Sequence, residues 1–144
     1  GECTFGDHCW LHSGIFVAQT TTLGHFVFIY PHVVITDDPT PPSNETVGAT
    51  IDDFAQGGAD SLLLPGVHIA EHSLIGAGSL LNKDTEAYGA YIGRPAKRVK
   101  DVRDILARDT GDAHYPWPKR FDRGMPWARQ DFEAWLKNSK YSPS

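Results

Sequence analysis

Residues 63–84 read LLPGVHIAEHSLIGAGSLLNKD, and a large aliphatic side chain returns in this stretch at every sixth position. The same spacing runs back through the chain in two phased blocks. The column of large residues comprises Phe5, Leu11, Val17, Leu23, Ile29 and Ile35, then Ile51, Gly57, Leu63, Ile69, Ile75 and Leu81. Eleven of these twelve are Phe, Leu, Ile or Val, whereas a random column would hold about three. The period of six is therefore the main structural signal.

A second column lies four residues after the first and holds small or β-branched side chains. Its members are Cys9, Ile15, Thr21, Val27 and Val33, then Ala55, Ser61, Val67, Ser73 and Ser79. Helices repeat an apolar face every three or four residues and strands every two, so a strict six requires short strands joined by tight turns. We predict triangular coils, one face per six residues, that bury both columns. We also predict corners with positive φ at Gly6, Gly24, Gly58 and Gly76.

The stretch quoted above and residues 91–99, YIGRPAKRV, resemble the last coils and the exit loop of the hexapeptide-repeat acyltransferases. This resemblance covers residues 1–99 and implies an all-β fold, a left-handed parallel β-helix, assembled as a homotrimer. Such a coil is an exception to the right-handed crossover rule. The implied activity is transfer of an acyl group from acyl-CoA, for example acetyl-CoA, to a small-molecule acceptor. The opening residues are already in phase, so we expect further coils to precede this sequence.

Composition argues against other classes. A net charge of −5 with 40% hydrophobic and 22% charged residues predicts a globular protein that does not bind nucleic acid. No apolar run approaches the roughly 20 residues needed to span a bilayer. The first ten residues lack the pattern of a secretory signal, so we expect a cytoplasmic protein. Cys3 and Cys9 form neither a disulfide framework nor a zinc knuckle, and we expect free thiols.

Two segments depart from the repeat. Residues 36–50, TDDPTPPSNETVGAT, contain three prolines and are predicted to leave the β-helix of residues 1–99 as a loop. Insertions in solenoids often gather on the binding face, so we place the acceptor site there. Residues 100–144 are predicted to form a helical and extended tail, with short amphipathic helices at 101–108 and 127–137. The intervening aromatic and proline-rich stretch, 114–127, is predicted to be extended.

A cofactor groove is predicted on the outside of the last coils. Because residues one coil apart stack, Gly58, Gly76 and Arg94 are expected to form one outer column. Ala59 and Ala77 are expected to lie beside it. Such a column lacks large side chains, and pantetheine could bind backbone amides along it.

The exit motif concentrates positive charge in an acidic protein. Arg94, Lys97 and Arg98 suit the phosphates of coenzyme A, and the resemblance implies that this loop closes over the nucleotide end of the cofactor. Lys83 is a further candidate for the same anion. We expect no metal cofactor.

The predicted loop begins with a motif that bears on the acceptor. Resembling O-acetyltransferases commonly have Thr-x-His-Pro here, whereas this chain reads Thr36-Asp37-Asp38-Pro39. An ionised carboxylate is a poor base for a hydroxyl, whereas an amine needs less help. The motif is similar to the Thr-Asn-Asp signature of nucleotide-linked amino-sugar N-acetyltransferases, where the acidic loop holds the sugar. We therefore predict an amine acceptor, such as a nucleotide-linked sugar, contacted by Asp37, Asp38 and Tyr30.

Several residues are candidates for the general base that accepts the proton of the substrate. His32 and His25 precede the loop and join Asp38 as candidates, with the departing thiolate as a fourth proton acceptor. Three alternative functions stay open. One is an O-acetyltransferase that uses one of these histidines, and another is a non-catalytic trimeric scaffold. The third is a zinc-dependent hydratase of the γ-carbonic-anhydrase type, with His32, His68 and His72 as ligands.

Overall fold

Short parallel strands follow the predicted period. The computed structural model describes residues 1–120, 125 and 127–142, except for the side chain of Arg129. Twelve two-residue strands come first: β1 Thr4–Phe5, β2 Trp10–Leu11, β3 Phe16–Val17, β4 Thr22–Leu23, β5 Phe28–Ile29, β6 Val34–Ile35, β7 Thr50–Ile51, β8 Gln56–Gly57, β9 Leu62–Leu63, β10 His68–Ile69, β11 Leu74–Ile75 and β12 Leu80–Leu81. No strand lies between Ile35 and Thr50, so this stretch leaves the coil as predicted.

The strands stack into three parallel sheets. Sheet A has the order β1-β4-β7-β10, sheet B contains β2-β5-β8-β11, and sheet C contains β3-β6-β9-β12. Thr4 pairs with Thr22, one 18-residue coil later, and Thr22 pairs with Thr50 across the insertion. Each coil therefore has three faces, which confirms the predicted triangular geometry.

Three corners join the sheets. The AB corner comprises residues 6–9, 24–27, 52–55 and 70–73; the BC corner comprises 12–15, 30–33, 58–61 and 76–79; the CA corner comprises 18–21, 64–67 and 82–85. In the second coil, the loop of residues 36–49 takes the place of the CA corner.

Both predicted columns point inward. Leu23, Ile29, Ile35, Ile51, Leu63, Ile69, Ile75 and Leu81 are all at most 2% exposed, and Thr21, Val27, Val33, Ala55, Ser61, Ser73 and Ser79 are at most 1% exposed. Burial of each large aliphatic side chain contributes about 1.5–3 kcal/mol. Phe5 and Leu11 remain 47% and 40% exposed, since their strands are the first of their sheets.

The prediction of positive φ at four glycines is wrong. The left-handed residues lie two positions further on, as at Phe26 with φ 53° and Asp60 with φ 59°. These glycines are instead required because a side chain at their positions would clash with the neighbouring coil. A Cβ on Gly58 would come within 2.5 Å of the Ile75 carbonyl oxygen in the next coil, and one on Gly24 would collide with Asp53. Glycine therefore permits close stacking of successive coils.

A hairpin extends sheet B beyond the last complete coil. Its strands are β13, Gly89–Gly93, and β14, Ala96–Asp101, which pair antiparallel. Parallel pairing of β13 with β11 joins Ile75 to Tyr91, so this coil is two residues shorter than the regular 18-residue coil.

The chain divides into two compact units, Gly1–Val102 and Arg103–Ser144. The predicted helix at 101–108 is wrong, because β14 continues to Asp101 and a 3₁₀ turn follows at Val102–Asp104. The apolar residues of this stretch do not form the buried face of a helix, since Leu106 is 62% exposed and forms a β-bridge with Ala113.

The described part of the second unit contains a 3₁₀ turn, Trp117–Lys119, and one α-helix, α1, at Arg129–Lys137. This helix confirms the one predicted at 127–137. The extended segment predicted at 114–127 falls partly outside the described residues, at 121–124 and 126, and its described part includes the 3₁₀ turn. Among the helices that the structure describes, none has the length and apolar character needed to cross a membrane.

Candidate active site

The three predicted bases lie at different corners of the coil. His25 follows β4 at the AB corner, and His32 follows β5 at the BC corner. Asp38 belongs to the loop that replaces the CA corner. Successive corners are separated by one face of the triangle, so nearness in sequence does not make these three side chains one site within a single chain.

His25 links its own coil to the coils on either side. Its Nδ1 accepts a hydrogen bond from the Asp7 backbone N–H at 2.8 Å, and an Asp7 carboxylate oxygen lies 3.6 Å from the same atom. The His25 backbone N–H donates to Asp53 Oδ1 at 2.7 Å. Because Nδ1 already accepts a hydrogen bond, it cannot take a substrate proton without breaking that link.

His32 is exposed and has left-handed backbone, with φ 63°. Its imidazole lies over Gly14 in the preceding coil, where a Cβ would collide with Nδ1. Its backbone N–H donates to the Ser13 carbonyl oxygen at 3.2 Å. The missing side chain at Gly14 thus makes room for the His32 ring on the outside of the BC corner.

Asp38 organises the inserted loop. Oδ1 accepts from Ser43 Oγ at 2.6 Å and from the Thr40 N–H at 3.0 Å, while Oδ2 accepts from the Ser43 N–H at 2.8 Å. The hydrogen bond from Ser43 Oγ lowers the pKa of Asp38 most, and the two backbone N–H groups act in the same direction. The carboxylate is therefore ionised at neutral pH.

The base of the loop is closed by backbone hydrogen bonds. The Val47 N–H donates to the Asp37 carbonyl oxygen at 2.7 Å, and the Gly66 N–H donates to the Val47 carbonyl oxygen at 3.0 Å. Thr36 Oγ1 donates to the Leu63 carbonyl oxygen at 2.8 Å. These bonds fix both ends of the loop to the third coil, and they hold Asp37 and Asp38 at the CA corner.

Tyr30 lies in an aromatic cluster on the outer face of sheet B. Its ring stacks on His12 at 5.6 Å and contacts Phe28 edge-on at 4.6 Å, with Trp10 also packed against Phe28. Burial raises the pKa of the Tyr30 hydroxyl. The ring is 39% exposed, so a ligand could reach it, although it lies on a different face from the loop.

The predicted outer column needs one correction. Because the last coil is two residues short, Ile92 and not Arg94 continues the line from Gly58 and Gly76. A Cβ on Gly76 would lie 3.1 Å from the Ile92 side chain.

Ala59 and Ala77 lie beside this column at the BC corner, as expected. Ala77 is exposed, and the Ala59 carbonyl oxygen accepts from the Gly78 N–H at 2.7 Å. The small residues of this corner therefore permit close coil stacking, and the exposed Ala77 offers only a methyl group to solvent.

The cations of the exit motif lie on and beside the hairpin. Arg94 reaches back to donate to the Gly78 carbonyl oxygen at 3.1 Å. Arg98 is paired with Glu86 at 3.2 Å and Asp101 at 3.6 Å, whereas Lys97 is exposed on β14.

Lys83 is exposed at the CA corner of the fourth coil. It therefore lies at a different corner from the residues where Arg94 binds, and the structure does not group it with the exit motif.

The three histidines of the zinc alternative are also dispersed. His68 belongs to sheet A, His72 is buried at the AB corner, and His32 lies at the BC corner. Within the described ranges, no three His, Cys, Asp or Glu side chains are grouped so as to hold a metal ion.

One close pair was missed by sequence reasoning. His68 Nε2 lies 2.6 Å from Asp52 Oδ2 on the outer face of sheet A. The two residues are 16 positions apart. His68 pairs with Thr50 in the preceding coil, and Asp52 lies two residues after Thr50, where β7 has ended. Reading the outward positions in pairs across coils would have found them.

Known proteins similar to this chain were identified by sequence. No family model matches it. Over 125 residues, 69% of the chain, it is 26% identical to the bifunctional protein GlmU of Heliobacterium modesticaldum. Over 65 residues, 45% of the chain, it is 35% identical to the 2,3,4,5-tetrahydropyridine-2,6-dicarboxylate N-acetyltransferase of Ligilactobacillus salivarius. The chain spans only 27% of the length of each of these curated relatives.

Solved structures similar to this chain show which known fold it has. Serine acetyltransferase of Neisseria gonorrhoeae superposes with a TM-score of 0.62 at 25% identity, over 69% of this chain and 38% of that one. A maltose O-acetyltransferase from Clostridium difficile 630 superposes with a TM-score of 0.62 at 20% identity, over 69% of this chain and 58% of that one. The chain has the left-handed parallel β-helix fold of the hexapeptide-repeat acyltransferases.

This hexapeptide-repeat β-helix confirms the fold that the sequence predicts. A serine acetyltransferase that shares the fold, at 20% identity and a TM-score of 0.60, was solved in complex with CoA. The names of the relatives include both an N-acetyltransferase and an O-acetyltransferase. Likeness alone therefore does not select the acceptor.

Proposed function

We propose that this chain transfers an acyl group, such as acetyl, from acyl-CoA to the amine of a sugar or similar small acceptor. The observation that carries the proposal is the ionised carboxylate of Asp38. It occupies the place of the histidine in the Thr-x-His-Pro motif, and its carboxylate accepts three hydrogen bonds from its own loop. With its pKa lowered by Ser43, it does not accept a proton at neutral pH.

An amine acceptor suits such a site. Its nitrogen is nucleophilic once neutral and attacks the thioester carbon, whereas a hydroxyl needs a base during the attack. The attack forms a tetrahedral intermediate whose oxyanion backbone N–H groups would stabilise. The C–S bond then breaks, and the departing coenzyme A thiolate takes the proton that the nitrogen loses, so the products are the acylated amine and free coenzyme A thiol. The anionic loop of Asp37 and Asp38 would attract an ammonium group and orient it.

Acyl-CoA is proposed to bind along Ala59 and Ala77 at the BC corner, where the side chains are small, with its phosphates near the hairpin. Lys97 and Arg94 are the better phosphate ligands, since Arg98 already pairs with two carboxylates. We further propose a homotrimer, because a neighbouring subunit could bring its own corner to this loop and so unite groups that one chain keeps apart.

Calorimetry with acetyl-CoA tests the cofactor. We expect the intact chain to bind, and we expect the variant in which Arg94, Lys97 and Arg98 are all Ala to bind at least about tenfold more weakly. A variant with Arg108, Lys119 and Lys137 changed to Ala loses the same charge in the second unit and should bind normally. Absence of binding by the intact chain would refute the proposal.

Paired acceptors test the chemistry. Release of free coenzyme A thiol is followed with sugars that differ only by an amine in place of a hydroxyl. The amine should be the substrate, and Asp38→Asn should raise its KM more than it lowers kcat, because the loop loses its charge. Equal or faster turnover of the hydroxyl sugars would instead favour O-transfer through a histidine.

A further inference from the structure

The second unit contains a cleft with basic side chains that the proposed acyl transfer does not use. This basic cleft has a volume of about 540 Å³, which is within the range of small-ligand sites. Its described polar lining comprises Arg108, Asp109, Thr110, His114, Lys119 and Arg120. Three cations and one carboxylate therefore face one cavity, in a chain whose net charge is −5.

One wall of the basic cleft is a loop, residues 107–112, that carries Arg108. The Ala107 N–H donates to the Asp112 carbonyl oxygen at 2.8 Å, and the Gly111 N–H donates to the Ala107 carbonyl oxygen, also at 2.8 Å. Gly111 has φ 75°, which allows the chain to reverse direction there. These bonds fix the backbone on which the Arg108 side chain is mounted.

The other wall is the 3₁₀ turn Trp117–Lys119 together with Arg120. Trp117 is 3% exposed and anchors the turn, and its carbonyl oxygen accepts from the Arg120 N–H at 2.9 Å. The Arg120 side chain joins the two walls, because its Nε and Nη2 donate to the Ala113 carbonyl oxygen at 3.0 and 2.8 Å. Lys119 and Arg120 are therefore held at the cleft by backbone contacts.

The positive charge of the basic cleft is only partly neutralised. Within the part of the chain that the structure describes, Arg108 and Lys119 have no ion-pair partner. Arg120 lies 3.7 Å from an Asp112 carboxylate oxygen, but its guanidinium has five N–H donors and so keeps some for a ligand. The Asp109 carboxylate already accepts the N–H of the following residue at 2.8 Å. An anion in this cleft therefore meets more positive than negative charge.

His114 gives the basic cleft a titratable group that responds to this charge. Burial lowers its pKa most, and Arg120 lowers it further, whereas Asp109 acts in the opposite direction. The imidazole is therefore neutral at pH 7 and offers one N–H donor. Its backbone N–H donates to the Ile105 carbonyl oxygen at 2.8 Å, which fixes the position of the residue.

We propose that the basic cleft binds a doubly charged phosphate group, either free or as part of a small phosphate ester, between Arg108, Lys119 and Arg120. Arginine presents paired N–H donors to two phosphate oxygens, and lysine supplies a compact charge. The His114 imidazole and the Thr110 hydroxyl supply further donors. This site shares no residue with the acyl-CoA site proposed above.

An adjoining cleft has room for the organic part of an ester. Its volume is about 370 Å³, and it is lined by Ala113, Tyr115 and Pro116 together with the same Lys119 and Arg120. A phosphate held by the two shared cations would place the rest of the ester beside the Tyr115 ring and the Pro116 ring. Such apolar surfaces suit an organic group rather than a second anion.

Nuclear magnetic resonance of the His114 imidazole in the intact chain tests binding. Titration with inorganic phosphate at constant ionic strength should shift this signal saturably. Arg108→Ala and Lys119→Ala should each weaken binding at least about fivefold, because each removes a charge-assisted hydrogen bond. Lys137→Ala removes the same charge from the last residue of α1 and is the matched control, with unchanged affinity. Arg120 is left intact because it holds the Ala113 carbonyl oxygen.

A pH titration of the same signal tests the electrostatics. Sulfate is the probe, since it stays doubly charged while the imidazole titrates. Bound sulfate should raise the pKa of His114, because the anion favours the imidazolium and offsets Arg120, and the rise should be smaller in Lys119→Ala. An equal rise with chloride at the same ionic strength would show only general screening and overturn the proposal. Undiminished phosphate binding by both Arg108→Ala and Lys119→Ala would also overturn it.

Two further arms identify the ligand and separate this site from acyl transfer. Tighter binding of phenyl phosphate than of inorganic phosphate would identify an ester as the ligand, whereas equal binding would identify free phosphate, and both results support the site. The variant in which Arg94, Lys97 and Arg98 are all Ala should still shift the His114 signal with phosphate. Because no readout involves acyl-CoA, failure here leaves the proposed acyl transfer untouched.

Discussion

The AB and BC corners of the solenoid share one backbone conformation but fill it with opposite kinds of side chain. Each turns through a left-handed residue in every coil. At the AB corner these residues are His8, Phe26, Phe54, His72 and, in the last coil, Tyr88; at the BC corner they are Gly14, His32, Asp60 and Gly78. The AB corner therefore places a ring in every coil, whereas the BC corner has a single ring, His32, among two glycines and an aspartate. The same local strain is offset in two different ways.

At the AB corner, the rings form a continuous stack through the coils. Their successive centroids are 4.8, 5.4, 4.9 and 4.5 Å apart. Phe26 and Phe54 are at most 1% exposed. A left-handed residue other than glycine costs about 1–2 kcal/mol, whereas burying a phenylalanine contributes about 1.5–3 kcal/mol and ring contacts add about 0.5–1.5 kcal/mol. The AB corner therefore carries a stabilising stack of rings along the outside of the core cluster, whereas the BC corner has no such stack.

The largest expected effect is at the middle of this stack. Phe54→Ala should lower the free energy of unfolding by about 3–5 kcal/mol, because it removes a buried ring that touches Phe26 and His72 and keeps the left-handed backbone. Urea unfolding followed by circular dichroism measures it. His32→Ala changes the equivalent conformation at the BC corner and should lower stability much less. Similar losses in both variants would show that the two corners do not differ as described.

The contrast between the two corners also shows how much of the structure can be predicted from the sequence. The period of six fixes which residues point inward, so the sheets and the core were predictable. The positions of positive φ at the corners were not predictable, because Phe26 and Asp60 adopt a positive φ although they are not glycines. Arg94 was misplaced because a two-residue shortening of the last coil leaves no mark in the apolar columns. His68 and Asp52 were missed for a related reason, since outward positions have no composition rule and pair only once the coils are stacked.

A second prediction concerns crowding between coils at the BC corner. Gly58→Ala should lower the free energy of unfolding by about 1–3 kcal/mol, because its Cβ would lie 2.5 Å from the Ile75 carbonyl oxygen and 2.6 Å from the Ala77 nitrogen. Gly78→Ala separates crowding from strain. At Gly78, a Cβ has nothing within 4 Å but φ is 71°, so the loss should be about 1 kcal/mol. A larger loss at Gly78 than at Gly58 would contradict the steric account of the predicted glycines.

The smallest expected effect has the opposite sign. Asp60 is exposed and left-handed, with φ 59°, and has no ring stack to offset the strain. Asp60→Gly relieves about 1–2 kcal/mol of backbone strain but gives the unfolded chain about 0.4–1 kcal/mol more conformational freedom. Thermal unfolding should therefore show a net gain of about 0.5 kcal/mol, with acetyl-CoA binding unchanged. The same change at Phe54 should be strongly destabilising, because there the side chain contributes more than the backbone conformation costs. If Asp60→Gly instead destabilised the fold, the Asp60 carboxylate would have to stabilise the BC corner as the rings stabilise the AB corner. The described difference between the two corners would then be wrong.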